Sequence, residues 1–489
     1  MNQKKIGLLS LVAMIIGSTI GSGVFTITGD MAAAGAYSGA IVVGWAICGL
    51  GIYCLLQCFY GLNKERPDLT NGVFSYAREG FGEYVGFTSA YGYWISALFT
   101  NVSYMALLFT TFNYFLPVFA NGSNLLSTVL GSIIIWIAAL IVIRGIPEAA
   151  LLNIFATTAK LIPLFVFIIA VIVVKAFDFD VFLENFWGTE NSIPLLDQIK
   201  ATSSATVWSF IGIESAVVLS GRARKNSDIG KSTFIGFASI FLIYVLVAVL
   251  SLGVVSHDEL AAMENPQMSG ILELAVGSWG AIIVRIGIIL SIVGALLGWT
   301  ILACDCPMSA AQQGVFMKKF AQTNKYGAPS YSIIVTTLII QFFIILGYFS
   351  ESAYLLFYNL CVSMIMVPYL LSAAFYFKTG ITKQGLSLTA NYTHALIFGF
   401  LGTVYGFYMI YAGGWNYLLV TTILYAPGYF IYRKGKLEKG LPVFGSKYEK
   451  ELAILIAVLG GDIIRSFNLR KNCSVIFNRL LVRKCKLKI

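Results

Sequence analysis

Charged residues are scarce in this chain, since Asp, Glu, Lys and Arg together make up 11% of its 489 residues. Histidine occurs only twice, which leaves few ligands for a catalytic metal ion. The sequence also lacks an H-E-x-x-H motif, a G-x-S-x-G motif in helical context and a channel selectivity-filter repeat. These absences argue against a metal-dependent or serine hydrolase and against a pore.

Cysteine is present but forms no recognisable framework. Six of the eight cysteines lie inside apolar stretches, where a free thiol behaves as a small hydrophobic side chain. The pair Cys304-x-Cys306 lacks the C-x2-C spacing of a zinc site. We therefore expect no disulfide scaffold, no metal site and no cofactor.

Long apolar stretches dominate the chain, with 58% hydrophobic residues and a mean hydropathy of +0.81. This composition excludes a soluble globular protein. A helix of about 20 apolar residues spans a bilayer, and about twelve such stretches occur. They cover approximately residues 7–29, 38–62, 84–116, 125–143, 149–174, 201–221, 232–255, 279–312, 331–349, 353–377, 390–412 and 415–432. The sequence therefore predicts an all-α protein embedded in a lipid bilayer, with about twelve transmembrane helices.

The connections between these stretches alternate in charge. One set is basic and contains Lys4, Lys5, Lys64, Arg66, Arg78, Arg144, Arg222, Arg224, Lys225, Lys231, Lys318, Lys319, Lys325, Lys378, Lys383 and Arg433. The other set is acidic and contains Asp30, Asp178, Asp180, Glu184, Glu190, Asp197, Asp258, Glu259, Glu264, Glu273 and Glu351. The positive-inside rule then places both ends of the transporter core in the cytoplasm. The net charge of +10 is accordingly a topological signal and not a nucleic-acid-binding surface.

Two of the apolar stretches are interrupted in a similar way. The first contains the glycine-rich run 17–23, and the sixth contains the run 208–215, so that both include Ser-x-Ile-Gly. Each half contains five spans, an odd number, so the two halves have opposite orientations. Matching interruptions in two halves point to an inverted repeat with a central binding site. We therefore predict repeats over about 7–175 and 200–377, followed by two appended helices over about 390–433.

The interruptions expose backbone groups that suit a zwitterion. Gly17, Gly21 and Gly23 let the chain leave the helix, and freed N–H groups at a helix start favour a carboxylate. Freed carbonyls at the second interruption suit an ammonium group. The pattern is typical of a receptor for an α-amino acid, although close helix packing through small residues is the alternative.

Several polar and aromatic side chains at membrane depth are further candidates. Glu214 and Lys160 are ionisable residues that need partners there, so each is a functional hypothesis. Trp208 and Trp299 could hold a cation over an indole face or could simply pack. Asn101 could bind substrate or a neighbouring helix.

Together these segments resemble the basic amino acid/polyamine antiporters of the amino acid–polyamine–organocation superfamily. The similarity covers about residues 5–435 and is carried by G-S-x-I-G-S-G-V-F from Gly17 to Phe25. More discriminating is the sixth-helix run from Trp208 to Ala216, which looks like that of arginine/agmatine antiporters. The run Gly298-Trp299-Thr300 and the pair Tyr93 and Asn101 are similar to their eighth and third helices.

The resemblance implies a role for each of these residues. Ser22 and Gly23 with neighbouring backbone would hold the substrate carboxylate, the Ile211 carbonyl would hold its amino group, and Ile20 would also contact the substrate. Trp299 would stack on the guanidinium, with Asn101 and Cys361 beside it. Trp208 would act as a middle gate, Tyr93 and Glu214 as an outer gate and Tyr369 as an inner gate. Glu214 would also respond to pH, and Lys160 would take the place of a sodium ion.

Three features depart from that family pattern. Cys361 stands where a serine would contact the guanidinium, and Tyr104 replaces a smaller apolar residue near the pocket. The run from Thr70 to Tyr76 looks equally like arginine/ornithine exchangers. A thirteenth apolar segment begins at 451–460 and then meets charges, and the basic tail at 436–489 receives no function.

The sequence thus predicts an antiporter, not an enzyme, that exchanges external L-arginine for internal agmatine across a bacterial cytoplasmic membrane. Coupled to arginine decarboxylation, this exchange would serve acid resistance. Arginine/ornithine or lysine/cadaverine exchange on the same fold is the alternative, and a substrate sensor without transport is another. Homodimers are common among such proteins, so a second copy of the chain is an expected partner.

Overall fold

The computed structural model describes residues 7–69, 72–144, 149–214, 226–387 and 390–469. Within these ranges every regular element is helical, as the sequence predicts. The helices of the first half are α1 Leu8–Thr19, α2 Ile27–Ala33, α3 Ser38–Glu65, α4 Val73–Phe81, α5 Glu83–Phe112, α6 Leu125–Ile143 and α7 Ala149–Val173. The next are α8 Phe179–Leu183, α9 Leu195–Ala201, α10 Ser203–Trp208, α11 Asn226–Leu252, α12 His257–Ala262, α13 Gln267–Val276 and α14 Ser278–Gln312. The last are α15 Ser330–Gly347, α16 Ala353–Thr382, α17 Tyr392–Ala412, α18 Trp415–Tyr425, α19 Gly428–Leu437 and α20 Lys447–Leu469.

Eight of these helices are long and apolar enough to cross a membrane in the described part of the chain: α3, α5, α6, α11, α14, α15, α16 and α17. The fifth predicted stretch corresponds to α7, in which Lys160–Val173 forms a shorter apolar helical segment. The other three predicted stretches are interrupted, namely α1 with α2, α10 with the turn after it, and α18 with α19. The fold is an all-α membrane protein with broken first and sixth segments.

The two breaks occur at the glycines that the sequence singles out. Helix α1 ends at Thr19, Ile20 adopts an extended conformation, and a short 3-10 turn, Gly23–Phe25, precedes α2. Helix α10 ends at Trp208, and turn residues follow as far as Glu214. Gly212 has φ +101°, a conformation that a residue with a Cβ rarely adopts. The end of the sixth predicted stretch, at 215–221, lies outside the described residues.

Helix α5 forms the centre of the structure. In its most apolar 18-residue window 89% of the residues are buried, compared with 28% for α6 and 39% for α15. The latter two carry many exposed apolar side chains, as expected for helices that face lipid. The residues of α5 therefore face the interior of the bundle on nearly all sides.

The charged connections group at two opposite ends of the bundle. At the end called here the basic face, Arg66 donates to the Gly385 carbonyl at 3.1 Å, and Lys378 donates to that of Gly80 at 2.7 Å. At the acidic face, Asn121 donates to the Glu351 carbonyl at 2.7 Å. The basic residues Arg222, Arg224 and Lys225 lie outside the described residues.

The chain beyond residue 435 packs against the rest of the structure. Glu449 is buried and accepts hydrogen bonds from the backbone N–H groups of Tyr84 at 2.9 Å and Gly445 at 2.8 Å. Lys436 forms a salt bridge with Glu83, the first residue of α5. Residues on both sides of the predicted boundary at 435 are therefore in contact in the described part of the chain. Helix α20 itself continues past 460 to Leu469, although the apolar pattern ends there.

Candidate functional site

The two breaks lie in contact with each other. The Ser18 hydroxyl donates to the Gly212 carbonyl at 3.4 Å, across 194 residues of sequence. A Cβ built on Gly212 would lie 2.8 Å from the Ser18 carbonyl oxygen and 3.6 Å from the Trp299 ring. The close approach of the two backbones therefore requires glycine at position 212. The predicted meeting of the first and sixth segments is present in the structure.

A narrow cavity lies beside this contact. Its walls come from both breaks and from α5, α11 and α14. The lining residues are Thr19, Gly21, Gly23, Thr100, Tyr104, Trp208, Ser209, Ile211, Tyr244 and Trp299. None of these side chains is charged, and four of them are aromatic rings on elements other than the first break, which carries the glycines. Any ionic ligand must be held here by dipoles and ring faces.

The first break leaves several polar groups without partners. The N–H groups of Gly21, Ser22 and Gly23 make no hydrogen bond to another described residue. The hydroxyls of Thr19 and Ser22 are buried and likewise have no partner within the described ranges. Buried polar groups in native proteins are almost always paired. Such a cluster of unpaired donors is therefore suited to a ligand that accepts hydrogen bonds.

The second break offers an acceptor. The Ile211 N–H donates to the Trp208 carbonyl at 3.4 Å, and the Ile213 N–H donates to that of Phe210 at 3.1 Å. The Ile211 carbonyl itself accepts no hydrogen bond from a described residue. No described residue therefore competes with a cavity ligand for this carbonyl, to which the resemblance assigns the substrate amino group.

Tryptophan side chains cover the first break and close one wall. Trp208 lies directly over Gly23, because a Cβ there would be 2.5 Å from the Trp208 ring. Trp299 lines the cavity and, like Trp208, is almost fully buried. Both predicted tryptophans therefore reach the cavity.

Asn101 and Cys361 lie behind the cavity wall. Asn101 is fully buried, its side-chain N–H donates to the Ala97 carbonyl at 3.0 Å, and its oxygen accepts from Thr300 at 3.5 Å. Of the two interpretations of Asn101, this structure shows the contact with a neighbouring helix. The Cys361 thiol lies 3.1 Å from the Ser96 hydroxyl and 3.2 Å from that of Thr100.

The sequence interpretation missed Thr100, and with it Ser96 and Tyr244. Thr100 and Tyr244 line the cavity, and Ser96 joins Thr100 at the Cys361 thiol. The spacing of Ser96 and Thr100, four residues apart on one helix face, is a signal that could have identified them.

The predicted gate residues form a single cluster. Tyr93 donates to one carboxylate oxygen of Glu214 at 2.7 Å, Tyr369 donates to the other, and the Gly212 N–H donates to this second oxygen at 3.0 Å. Tyr93 lies eight residues from Asn101 along α5, which is about 12 Å toward the basic face. Tyr369 lies eight residues from Cys361 along α16 in the same direction. The structure thus brings Tyr93 and Glu214, which the resemblance assigns to an outer gate, into one cluster with Tyr369, which it assigns to an inner gate.

A different set of side chains closes the cavity toward the acidic face. The Trp208 ring packs edge-on against Tyr358, with ring centroids 5.3 Å apart, and Tyr358 stacks on Tyr354. The Tyr354 hydroxyl lies 2.8 Å from that of Thr26 in the first segment. Only Trp208 of this set is apparent as a candidate in the sequence.

Lys160 lies next to the first break. Its ammonium group is buried and donates a hydrogen bond to the Gly17 carbonyl. That carbonyl loses its usual helical partner because the chain leaves the helix after Thr19. A cation at a helix C-terminus is favourable, and here it fixes the end of α1.

No group of three or more His, Cys, Asp or Glu side chains is placed to hold a metal ion in the described residues. The cysteines at 48, 54, 58, 304, 306 and 361 are all free and buried. The polar chemistry of the site therefore comes from hydroxyl and backbone groups and from Lys160 and Glu214.

Comparison with known proteins gives consistent results. Residues 6–428 match the model of the amino acid permease family. An arginine/ornithine antiporter of Pseudomonas aeruginosa is 38% identical, with 96% of this chain and 98% of that protein aligned. An arginine/agmatine antiporter of Chlamydia caviae is also 38% identical over 96% and 98% of the two chains. A putative arginine/ornithine antiporter of Escherichia coli is 39% identical over 88% and 92%.

Among solved structures, a nucleobase–cation symporter in a closed conformation has a similar fold, with a TM-score of 0.53 at 14% identity. The match covers 92% of this chain and 96% of that one. At this identity the likeness concerns the fold alone. The relatives' alignment over 96% of the chain also extends beyond residue 435, in agreement with the packing of the C-terminal segment.

Proposed function

Since the chain belongs to the amino acid permease family, within the amino acid–polyamine–organocation superfamily, we propose that it exchanges external L-arginine for internal agmatine by alternating access. The chain is a multi-pass membrane transporter and not an enzyme. Its relatives are named for two exchange reactions that share arginine as a substrate. The proposal therefore concerns which cation leaves when arginine enters.

The observation that carries the proposal is the uncharged, aromatic cavity between two sets of free backbone groups. Unpaired N–H groups at 21–23 suit a carboxylate, and the free Ile211 carbonyl suits an α-ammonium group. A distal cation then meets Trp299 and hydroxyl groups, with no carboxylate among the lining residues. A guanidinium is planar, weakly hydrated and stacks on ring faces, so it tolerates such a wall better than a primary ammonium does.

In this proposal the side chains have the following roles. Ser22 and Gly23 with the neighbouring N–H of Gly21 surround the carboxylate, and Trp299 stacks on the guanidinium. Ser96 and Thr100 supply hydroxyls beside Cys361, where the thiol is a poor hydrogen-bonding group. Asn101 supports this wall through Thr300. Lys160 holds the end of α1 in place, where it would make a bound sodium ion unnecessary.

Access to the site would be controlled from both faces. Trp208 with Tyr354 and Tyr358 closes the acidic face, which the positive-inside rule makes external. Tyr93 and Tyr369 on Glu214 close the basic, cytoplasmic face. Release of Glu214 from its tyrosine partners would be the step that opens the protein to the cytoplasm.

Agmatine is arginine without its carboxylate, so the same guanidinium site accepts both. Each exchange would then export one positive charge. Arginine decarboxylation in the cytoplasm consumes a proton and regenerates agmatine, which would link the exchange to acid resistance in a bacterial cytoplasmic membrane.

Arginine/ornithine exchange is the second candidate, supported by the names of two relatives. Ornithine keeps the carboxylate and the α-ammonium group, so it would use the same backbone contacts. Its shorter side chain ends in a compact, strongly hydrated ammonium, which the uncharged wall would solvate less well.

The test is counterflow with purified protein in liposomes. Vesicles loaded with agmatine should accumulate labelled arginine, and unloaded vesicles should not. Equal uptake in the two preparations would refute obligatory exchange. A competition series of unlabelled agmatine, ornithine, lysine and cadaverine ranks the substrates, and inhibition by ornithine without inhibition by agmatine would replace the first candidate with the second.

A further inference from the structure

Tyr104 occupies an unusual position in the cavity. It lies on α5, four residues after Thr100, so that both side chains face the cavity from one helix face. Its side chain is 3% exposed. A Cβ built on Gly21 would lie 2.5 Å from the Tyr104 hydroxyl oxygen, which places this hydroxyl directly over the first break. The phenol thus approaches the backbone N–H groups that have no partner.

Its hydroxyl also differs from three of the other hydroxyls in the cavity wall, which donate to backbone carbonyls. Thr100 donates to the Ser96 carbonyl at 3.0 Å, Ser209 to that of Ala205 at 3.0 Å, and Tyr244 to that of Thr19 at 3.4 Å. The Tyr104 hydroxyl donates to no described residue. Its side-chain hydrogen-bonding neighbour is Trp299, whose indole N–H is a donor only. The proton of Tyr104 therefore remains available for an acceptor in the cavity.

The orientation of the phenol is fixed by packing. Its ring meets the Trp208 ring nearly at a right angle, with centroids 6.0 Å apart and an interplanar angle of 76°. Replacement by phenylalanine would keep this edge-to-face contact and remove only the hydroxyl. The function of the hydroxyl can therefore be separated from that of the ring.

We propose that the Tyr104 hydroxyl donates a hydrogen bond to the carboxylate of the substrate and so determines selectivity for an amino acid over the corresponding decarboxylated amine. The proposal rests on the proposed function, since it assigns the carboxylate to the first break. No Lys or Arg side chain lines the cavity among the described residues, so neutral donors must hold the carboxylate. One more donor at this end strengthens binding of arginine and leaves agmatine unaffected, because agmatine has no group there.

The experiment compares wild type with Tyr104→Phe in detergent or liposomes, using inhibition of labelled-substrate binding. Three pairs are measured: arginine and agmatine, ornithine and putrescine, and lysine and cadaverine. For the pair that the wild type binds, Tyr104→Phe should lower the affinity for the amino acid by about tenfold or more, which is the range for loss of a hydrogen bond to a charged group. The amine of that pair should change less than about twofold, because it carries no acceptor at this end.

Tyr432→Phe is the matched control. Tyr432 is a fully buried tyrosine, and its hydroxyl has no partner in the described part of the chain. It packs against Tyr84 and Phe87 near the start of α5, away from the cavity lining. It should leave both members of each pair unchanged. If Tyr104→Phe lowers the affinities for the amino acid and the amine equally, or changes neither affinity, the selectivity role is overturned. If the wild type binds a pair other than arginine and agmatine, the proposed function fails while the ratio within that pair still tests Tyr104. Binding of none of the pairs would overturn both.

Discussion

Removal of the Glu214 carboxylate should open the basic face of the protein. Three donors converge on this one group, namely the hydroxyls of Tyr93 and Tyr369 and the N–H of Gly212. The two tyrosines come from α5 and α16, so these hydrogen bonds join the two helices to the second break. We therefore expect Glu214→Ala to favour conformations in which α5 and α16 separate at this level.

The size of the effect follows from the bonds that are lost. Each hydroxyl–carboxylate hydrogen bond is worth about 1.5 kcal/mol, at the low end for bonds to a charged group. Loss of both tyrosine contacts then shifts the opening equilibrium by about 3 kcal/mol, or roughly a hundredfold. Tyr93→Phe and Tyr369→Phe each remove one bond, and each should shift the equilibrium by about tenfold.

Cys306 provides a native reporter for this opening. Its thiol is 6% exposed and donates to the Ala90 carbonyl at 3.3 Å, one helical turn from Tyr93. Alkylation from the basic face, measured for each cysteine by mass spectrometry in oriented vesicles, should accelerate in proportion to the open population. Cys48, which is 1% exposed on α3, serves as the internal control and should stay unmodified.

The result that refutes this reasoning is an unchanged Cys306 rate in Glu214→Ala when the variant retains the wild-type melting temperature. A parallel acceleration at Cys48 would also contradict it, because it would indicate general loosening of the bundle. An increase at Cys306 from the acidic face alone would place the Glu214 cluster on the other side of the cavity.

Three further changes test the site. Trp299→Leu should weaken arginine binding by about tenfold through loss of the cation–π contact, whereas Trp299→Phe should lose less, and equal affinities in a titration would argue against stacking. Lys160→Met leaves the Gly17 carbonyl unpaired, so the exchange rate and the melting temperature should both fall. Lys160→Arg keeps a donor and should retain part of both, and a fully active Lys160→Met variant would contradict a role for this cation. Gly212→Ala combines a strained φ with a 2.8 Å approach to the Ser18 carbonyl oxygen, so it should destabilise the protein by about 1–3 kcal/mol in thermal unfolding. An unchanged stability would indicate that the two breaks can separate freely.

The sequence predicts the main features of the fold because membrane insertion imposes simple rules. A helix that crosses the bilayer needs a sufficiently long apolar stretch, and its backbone N–H and C=O groups must be hydrogen-bonded within the protein. The alternation of basic and acidic connections assigns the loops to two opposite sides of the membrane. The glycines of the first and sixth stretches identify the breaks, since unwound backbone is tolerated only where it lines a cavity or is buried by protein. The breaks also explain which candidates line the cavity. Trp208 and Ile211 belong to the second break, and Trp299 faces the breaks from α14.

The partners of individual side chains are not predictable in this way. The grouping of Tyr93 with Tyr369 depends on the relative position of two helices whose first residues, Glu83 and Ala353, lie 270 residues apart in sequence, and no local pattern encodes it. Thr100 and Ser96 escaped notice because small hydroxyl residues are common in membrane helices. Asn101 carries the stronger polar signal, yet it points at Thr300 behind the cavity wall.

The contact between Glu449 and the first residues of α5 has a practical consequence. The carboxylate occupies the end of the helix whose other residues line the cavity, and Lys436 neutralises Glu83 beside it. Proteolytic trimming or deletion after residue 435 would leave the Tyr84 N–H without its carboxylate acceptor and would leave Arg78 as the remaining cationic partner of Glu83. Affinity tags and fluorescent fusions therefore belong beyond Leu469, where they leave this anchor intact.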